Sequence, residues 1–309
     1  RSLSRPDERR PAGDEMTAPV SLFESPRDVV ERLDAVDYLA DEGIATALYL
    51  ATALQMPLLL EGEPGVGKTS AAISVAAALD TDLIRLQCYE GLAAHDALYE
   101  WNYQRQLLAI RLSESRAESM SDADLYAPEY LSERPLLAAI RHQGQRPPVL
   151  LIDEIDRADD EFEALLFEFL GEGAVSIPEL GTIRAQRRPI VVLTSNRSRE
   201  LHDALRRRCL YHWIAYPGAA QVAAVLRRTV PAAPESLIAD ASVFVGRVRE
   251  LDLDKPPGMA EAIDWVSALI TLGVPELMPD AVLPTLGTLV KTPDDHADVA
   301  DALARGALL

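Results

Sequence analysis

Cysteine is scarce in this chain of 309 residues. The two cysteines, Cys88 and Cys209, lie far apart and provide neither a disulfide framework nor the C-x-x-C spacing of a zinc site. Cys209 is close to His212, but the alternation with Tyr211 and Trp213 indicates a strand rather than a metal site. Such limited use of cysteine is typical of the reducing cytosol, so we expect a cytoplasmic protein.

The chain also has no long apolar run and fewer basic than acidic residues. A membrane-spanning helix needs roughly 18 or more consecutive apolar residues, and no such run occurs, so we expect no transmembrane helix. The chain contains 30 Lys and Arg against 49 Asp and Glu, which gives a formal net charge of −19. Because a general nucleic-acid binder presents a basic face, this balance argues against that class.

The chain is long enough, and at 48% hydrophobic apolar enough, to bury the cores of two domains. Residues 1–20 are charged and lack the apolar segment of a secretory signal, so we predict a disordered tail. Whether the protein begins at Met16 is left open. Strand and helix patterns alternate over residues 21–216, whereas helical patterns dominate residues 217–309, at 219–229, 234–250, 259–272, 279–290 and 296–304.

Residues 58–69, LLLEGEPGVGKT, form the most specific motif. An apolar run leads into Gly62-x-x-x-x-Gly67-Lys68-Thr69, which is the P-loop pattern. Backbone N–H groups of such a loop close around phosphates, the lysine reaches the β and γ oxygens, and the threonine hydroxyl binds Mg²⁺. A Gly-rich turn without a ligand is the alternative. We predict that nucleotide contacts come from Glu63, Pro64, Gly65, Val66, Gly67, Lys68, Thr69 and Ser70.

A second apolar strand, residues 148–152, ends in Asp153 and Glu154. A strand that is apolar on both faces belongs in the middle of a covered parallel sheet, so the acids should emerge at the edge where ligands bind. This arrangement predicts that Asp153 holds Mg²⁺ together with Thr69, and that Glu154 polarises the attacking water. A solvated acidic loop is the alternative.

Three other segments are candidates for a role at the same site. Asn196 follows the apolar strand 190–194, where it can position a water or simply cap a turn. An arginine from the triplet that ends in Arg207 and Arg208 can reach a neighbouring subunit's phosphate, or the triplet can be a solvated patch. Tyr38 or Leu39, just upstream of the P-loop strand, can form a wall for the adenine, with ordinary helix packing as the alternative.

Taken together, these motifs resemble those of the AAA+ ATPases over about residues 20–309. Walker A is GEPGVGKT, Walker B is LLIDEID, sensor 1 is TSN, and the arginine-finger segment is LRRRC. Residues 89–134 resemble the helix 2 insertion, and residues 172–188 the pre-sensor 1 hairpin, of the MoxR and chelatase branches. The segments DEIDRADDEFEALLFEFL and DALRRRCLYHWIAYP are most similar to the CoxD-like branch of the MoxR family.

The resemblance implies an α/β fold: a five-stranded parallel P-loop sheet with helices on both faces, followed by an all-helical lid. It implies Mg²⁺ and ATP as cofactor and substrate, and a homo-oligomeric ring, usually hexameric, in which ATP lies between subunits. Arg208 is then the preferred finger and Arg207 the second choice. The sensor 2 arginine expected in the lid is missing from residues 257–262, with Lys255, Arg247 or Arg249 as potential substitutes.

Three functions are compatible with these motifs. The first is a motor ATPase that remodels a client metalloenzyme, since CoxD-like proteins are associated with maturation of molybdenum-copper carbon monoxide dehydrogenase, often beside a von Willebrand factor A domain protein. The second is a nucleotide-gated scaffold or chelatase-like ATPase. The third is an engine acting on DNA, which the net charge disfavours, although the hairpin carries Arg184, Arg187 and Arg188.

Overall fold

The computed structural model describes residues 22–116 and 121–308 of the chain. The tail predicted for residues 1–20 lies outside this part. In chain order the strands are β1 (Leu58–Gly62), β2 (Leu83–Gln87), β3 (Tyr99–Trp101), β4 (Leu131–Glu133), β5 (Val149–Asp153), β6 (Ala174–Ile177), β7 (Gly181–Arg184), β8 (Ile190–Ser195) and β9 (Leu210–Ile214).

Helices flank these strands and then continue alone to the end of the described chain. In chain order they are α1 (Pro26–Asp34), α2 (Glu42–Leu54), α3 (Lys68–Leu79), α4 (Ala94–Ala97), α5 (Tyr103–Arg116), α6 (Asp122–Leu125), α7 (Pro135–Arg141), α8 (Asp160–Glu172), α9 (Asp203–Arg206), α10 (Ala219–Thr229), α11 (Glu235–Arg249), α12 (Met259–Thr271), α13 (Pro279–Leu289) and α14 (Pro293–Ala304).

The main sheet has five parallel strands in the order β2-β5-β8-β1-β9. Every residue of the central strands β1, β5 and β8 is buried, as expected for strands covered on both faces. Because the strands are parallel, the carboxyl ends of β1, β5 and β8 lie at one edge of the sheet. The predicted five-stranded parallel fold is therefore confirmed.

Helices cover both faces of the sheet. Along β1, Leu58 and Leu60 belong to one hydrophobic core while Leu59 belongs to the other, because successive strand residues point to opposite faces. The first core also contains residues of α1, α2 and α3, and the second contains residues of α7 and α8. The carboxyl edge of the sheet is thus held between two packed layers.

Two smaller elements occupy the predicted insertion and hairpin. In residues 89–134, β3 and β4 form an antiparallel ladder, and the buried Trp101 makes edge-to-face contacts with Tyr99 and Tyr126. Strands β6 and β7 form the antiparallel hairpin expected within residues 172–188. Neither element joins the main sheet.

Helices α10–α14 pack around a hydrophobic core of their own. The last one begins at Pro293 rather than at His296, where the sequence pattern placed it. Thr292 caps this helix by accepting a hydrogen bond from the Asp295 N–H. Proline suits the first helical position, because a backbone N–H there would have no partner within the helix. Within residues 22–116 and 121–308, no helix is long and apolar enough to cross a membrane.

The close packing of β1 against β9 predicts that Gly62→Ala is strongly destabilising. A Cβ at Gly62 would lie 2.3 Å from the Ile214 carbonyl oxygen, a backbone atom that cannot move without separating the strands. We expect a loss of about 1–3 kcal/mol or more in the free energy of unfolding, measured by urea denaturation.

Gly171→Ala provides the matched control, because no atom lies within 4 Å of the Cβ position there. It should leave stability unchanged or raise it by about 0.5–1 kcal/mol. Equal stability of the Gly62→Ala and wild-type proteins would contradict the packing argument.

Candidate nucleotide-binding site

A cavity of about 500 Å³ opens at the carboxyl edge of the sheet. It lies between the P-loop and the helical region, which consists of helices α10–α14. Met259, Ala260 and Ile263 of α12 also line the cavity. The residues predicted for the site that line this cavity are Tyr38, Leu39, Pro64, Gly65, Val66, Gly67, Lys68, Thr69, Ser70, Asp153, Glu154 and Asn196. The fold therefore brings together segments that are far apart in sequence.

The P-loop connects β1 to α3 through two residues with left-handed backbone angles. Gly65 has a φ of 76° and Gly67 a φ of 97°, which side chains other than glycine rarely adopt. Lys68 begins α3 and is buried, and its ammonium donates hydrogen bonds to the carbonyl oxygens of Gly62 and Glu63, both at 2.7 Å. Burial lowers the pKa of Lys68.

Asp153, the last residue of β5, is the centre of a hydrogen-bond network. Its Oδ1 accepts from the Thr69 hydroxyl at 2.9 Å and from the Thr194 hydroxyl at 2.5 Å. The Thr194 hydroxyl in turn accepts from the Glu154 N–H at 2.9 Å. Three separate segments of the chain, the P-loop helix, β5 and β8, are thus joined through one carboxylate.

The role of Thr194 was not predicted from the sequence. The apolar residues of the segment 190–194 predict a strand, and Asn196 lies just beyond its end. A hydroxyl residue at the end of an otherwise apolar strand is the signal that was available, because a buried hydroxyl needs a hydrogen-bond partner. Here that partner is Asp153.

Arg85 was also missed. It lies on β2, and its Nη2 contacts the second oxygen of Asp153, Oδ2, at 2.5 Å and the Gln87 Oε1 at 2.6 Å. A cationic group therefore already contacts this carboxylate. Strand β2 pairs with β5 in a register that places Gln87 opposite Asp153, so the contact depends on sheet order and not on sequence spacing.

The oxygen donors at this point fit a magnesium ion. Mg²⁺ is usually bound through one or two carboxylates or hydroxyls, with water and phosphate oxygens completing its shell. The hydroxyl of Thr69 and the carboxylate of Asp153 supply such donors next to the P-loop. The described residues contain no cluster of three or more His, Cys, Asp or Glu arranged to hold a metal ion.

Glu154 stands immediately after Asp153 in an unusual backbone conformation. Its φ of 55° is left-handed, which costs free energy for a residue with a side chain and is often found at functional sites. Its carboxylate contacts the Arg157 guanidinium at 3.1 Å. The Glu154 side chain is 34% exposed, so it remains accessible from the cavity.

Asp156 connects this region to the segment that follows Asn196. It is buried, with only 2% of its surface exposed, and its Oδ2 accepts hydrogen bonds from the Ser198 N–H at 2.8 Å and the Ser198 hydroxyl at 2.6 Å. Burial lowers the pKa of Lys68, and among the nearby carboxylates Asp156 does most to raise it. The turn after β5 and the turn after β8 are therefore held together.

Tyr38 and Leu39 lie between α1 and α2 and line the cavity. Burial raises the pKa of the Tyr38 hydroxyl, with a smaller contribution from Asp41. The Leu39 carbonyl oxygen accepts a hydrogen bond from Gln221 of α10 at 3.4 Å. This wall of the cavity thus contacts the helical region directly.

Arg207, Arg208 and the side chain of Glu63 are exposed, and none of these residues lines the cavity. The Arg208 guanidinium lies 5.0 Å above the Phe167 ring and donates to the Ala204 carbonyl oxygen. Lys255, Arg247 and Arg249 do not line the cavity either. Arg249 instead donates to the carbonyl oxygens of Pro257 and Pro217, so it is engaged in holding two connecting segments.

This chain is similar in part to known proteins. Over 138 residues, or 44% of this chain, it is 32% identical to the Lon protease of Halothermothrix orenii, and the match spans 13% of that protein. A RuvB variant of Thermotoga maritima has 19% identity and a TM-score of 0.48, with 87% of this chain and 72% of that chain covered. A second structure, the Thermotoga maritima RuvB Holliday junction branch migration motor, has 17% identity and a TM-score of 0.45, with 84% and 70% covered.

The fold and the P-loop cavity define a protein with a P-loop α/β core. Residues 57–209 match the family described as AAA domain, dynein-related subfamily. The chain therefore contains an AAA domain of this subfamily. The matched range includes the P-loop, the Asp153 network, Asn196 and the arginine triplet.

The bridging position of Thr194 predicts different effects for two substitutions. Thr194→Val removes the hydroxyl, which takes the partner of the Glu154 N–H and one of the hydrogen-bond donors to the buried Asp153 carboxylate, so we expect a loss of about 1–3 kcal/mol in the free energy of unfolding. Thr194→Ser retains the hydroxyl and should retain most of that stability. Chemical denaturation of both variants at neutral pH measures the difference, and equal losses would show that the hydroxyl is unimportant.

Proposed function

We propose that this protein is a Mg²⁺-dependent ATPase of the AAA+ class that converts ATP and water to ADP and phosphate. The observation that carries this proposal is the hydrogen-bond network of Thr69, Asp153 and Thr194, which lines one cavity together with the buried Lys68. An isolated P-loop would support nucleotide binding alone. The buried carboxylate and the accessible Glu154 beside it supply the groups that hydrolysis requires.

Each residue has a role that its position supports. The P-loop N–H groups and Lys68 would bind the phosphates, and Thr69 with Asp153 would hold the Mg²⁺ that neutralises phosphate charge. Glu154 would accept the proton of the attacking water, which Asn196 would orient. For Glu154 to do so, its carboxylate must be free of Arg157, and the side chain's partial exposure allows this movement. Tyr38 and Leu39 would contact the adenine.

The position of the arginine triplet supports a role in a neighbouring subunit. Arg207 and Arg208 are exposed and lie outside the cavity of their own chain. An arginine that stabilises transition-state charge from there must act on a nucleotide bound to another copy, so we propose a homo-oligomeric ring, with six subunits as the expected number. Arg208 is the preferred finger, and Arg207 is the second choice.

For the biological role, we propose remodelling of a client metalloenzyme in the cytoplasm. This step rests on the similarity of the segments around Asp153 and Arg208 to the CoxD-like branch of the MoxR family. It implies a von Willebrand factor A domain protein as a partner and assembly of a molybdenum-copper centre as the process served. The large insertion at residues 89–134 provides a region outside the nucleotide site with which a client can interact.

A nucleotide-gated scaffold is the second candidate, and one observation favours it. Both carboxylates of the proposed catalytic pair are already occupied by arginines, Asp153 by Arg85 and Glu154 by Arg157. If these pairs persist after nucleotide binding, the protein would bind ATP without turning it over repeatedly. In that case a non-hydrolysable ATP analogue would support partner binding and the full cellular role, whereas for a motor it would give a stalled complex.

An engine acting on DNA receives less support. The arginines of the hairpin region make local contacts: Arg184 with Glu172 at 3.0 Å, Arg187 with the Gly144 carbonyl oxygen at 2.9 Å, and Arg188 with the Gly171 carbonyl oxygen at 3.4 Å. The strongly acidic charge also opposes general nucleic-acid binding. DNA-stimulated ATPase activity with strong salt dependence would be needed to favour this alternative.

Two substitutions separate binding in one subunit from catalysis by its neighbour. Lys68→Ala should abolish ATP binding or turnover, because the lysine contacts the phosphates. Arg208→Ala should leave ATP affinity within about threefold of wild type while reducing turnover by about 10³- to 10⁵-fold, the range known for arginine fingers. Arg207→Ala is the matched control in the same triplet. Loss of turnover in Arg207→Ala but not in Arg208→Ala would transfer the role to Arg207.

The role of Glu154 is tested by Glu154→Gln. The substitution keeps the size of the side chain but removes the base, so we expect ATP to bind normally and turnover to fall by about 10²-fold or more. Phosphate release under saturating ATP measures turnover, with oligomeric state checked by light scattering. Turnover near the wild-type rate in an intact oligomer would show that Glu154 is not the base.

A further inference from the structure

The start of α12 contacts the P-loop through backbone atoms. The Met259 N–H donates a hydrogen bond to the Gly65 carbonyl oxygen at 2.8 Å. A Cβ on Gly258 would lie 2.6 Å from the Gly65 Cα, and a Cβ on Gly65 would lie 2.8 Å from the Gly258 Cα. Two glycines are therefore required for the two backbones to come this close.

Hydrogen bonds within the helical region fix the position of Pro257 and Gly258 at the start of α12. The Gly258 N–H donates to the Glu261 carboxylate at 3.1 Å, which caps the start of α12. The residue before it, Pro257, accepts a hydrogen bond from Arg249 at 2.8 Å, and the same arginine binds the Pro217 carbonyl oxygen at 3.0 Å. Pro257 and Gly258 are both buried. The approach of α12 to the P-loop is thus a packed feature and not an accidental surface contact.

The bond to Gly65 also determines the direction of an N–H group in the P-loop. The Gly65 carbonyl and the Val66 N–H belong to the same planar trans peptide, so they point to opposite sides. When the Met259 N–H holds the Gly65 carbonyl oxygen, the Val66 N–H must point away from the Met259 nitrogen. Val66 lines the cavity, and P-loop N–H groups are the donors that close around phosphates.

We propose that Gly258 and Met259 are positioning residues that orient the Val66 N–H for phosphate binding. The proposal rests on the proposed nucleotide function and adds a route by which the helical region responds to the nucleotide. Since coupling is reciprocal, phosphate bound at the P-loop stabilises the docked position of α12. This coupling uses the main chain, which fits the absence of an arginine from residues 257–262.

The test compares Met259→Pro with Met259→Ala. Proline removes the N–H donor at the first position of a helix, where it is otherwise well tolerated, and the extended backbone of Gly258 is compatible with a following proline. Alanine removes the same side chain from the cavity wall but keeps the N–H. We expect ADP affinity, measured by isothermal titration, to be about tenfold weaker in Met259→Pro than in Met259→Ala, since about 1.4 kcal/mol corresponds to tenfold.

A second pair tests the close approach itself. Gly258→Ala should weaken ADP binding to a similar extent, because the added Cβ pushes α12 away from Gly65. Gly246→Ala, in α11 with no atom within 4 Å of the Cβ position, should bind ADP like the wild type. ADP affinity in Met259→Pro within about twofold of Met259→Ala, with both variants folded by circular dichroism, would overturn the proposal.

Failure of this positioning role can be distinguished from failure of the proposed nucleotide function. If the wild-type protein does not bind ADP, or binds it as well after Lys68→Ala, the proposed function fails. Hydrogen exchange of the ligand-free protein still tests the contact in that case. Residues 63–67 should then exchange faster in Met259→Pro than in Met259→Ala, and equal exchange would overturn the positioning role.

Discussion

The structure depends most on one buried charge, the carboxylate of Asp153. A carboxylate with only 2% of its surface exposed needs partners that replace water, and leaving it unpaired would be costly. Here the partners are Thr69 from the P-loop helix, Thr194 from β8 and Arg85 from β2. The partners of this single group therefore come from both strands that flank β5 and from the P-loop helix.

From this centre, contacts extend in two directions. Towards the helical region, the P-loop meets α12 through Gly65 and Gly258. Towards the arginine triplet, α8 supplies Glu163, which is buried and accepts hydrogen bonds from Arg199 and from the His202 N–H. The groups proposed to respond to nucleotide and the groups proposed to act on a neighbour are thus attached to the same sheet edge.

Local signals in the sequence predict the structure where chemistry requires particular residue types. The P-loop glycines and lysine, the acids after an apolar strand and the helix boundaries after residue 217 all depend on nearby residues, and the structure places those elements within a few residues of the prediction. The start of α14 differs from the predicted start at His296 because Thr292 caps the helix. Thr194, Arg85 and Gly258 were missed because their partners are distant in sequence: Asp153 for the first two and Gly65 for the third.

The sequence by itself determined which elements form and which residues make up the P-loop, because backbone propensity, apolar periodicity and motif spacing are local properties. Only the tertiary structure decided how these residues meet. Parallel strand order placed Arg85 against Asp153, and packing of α12 brought two glycine backbones into contact. Such contacts depend on the complementary shapes of surfaces far apart in the chain, which no local pattern encodes.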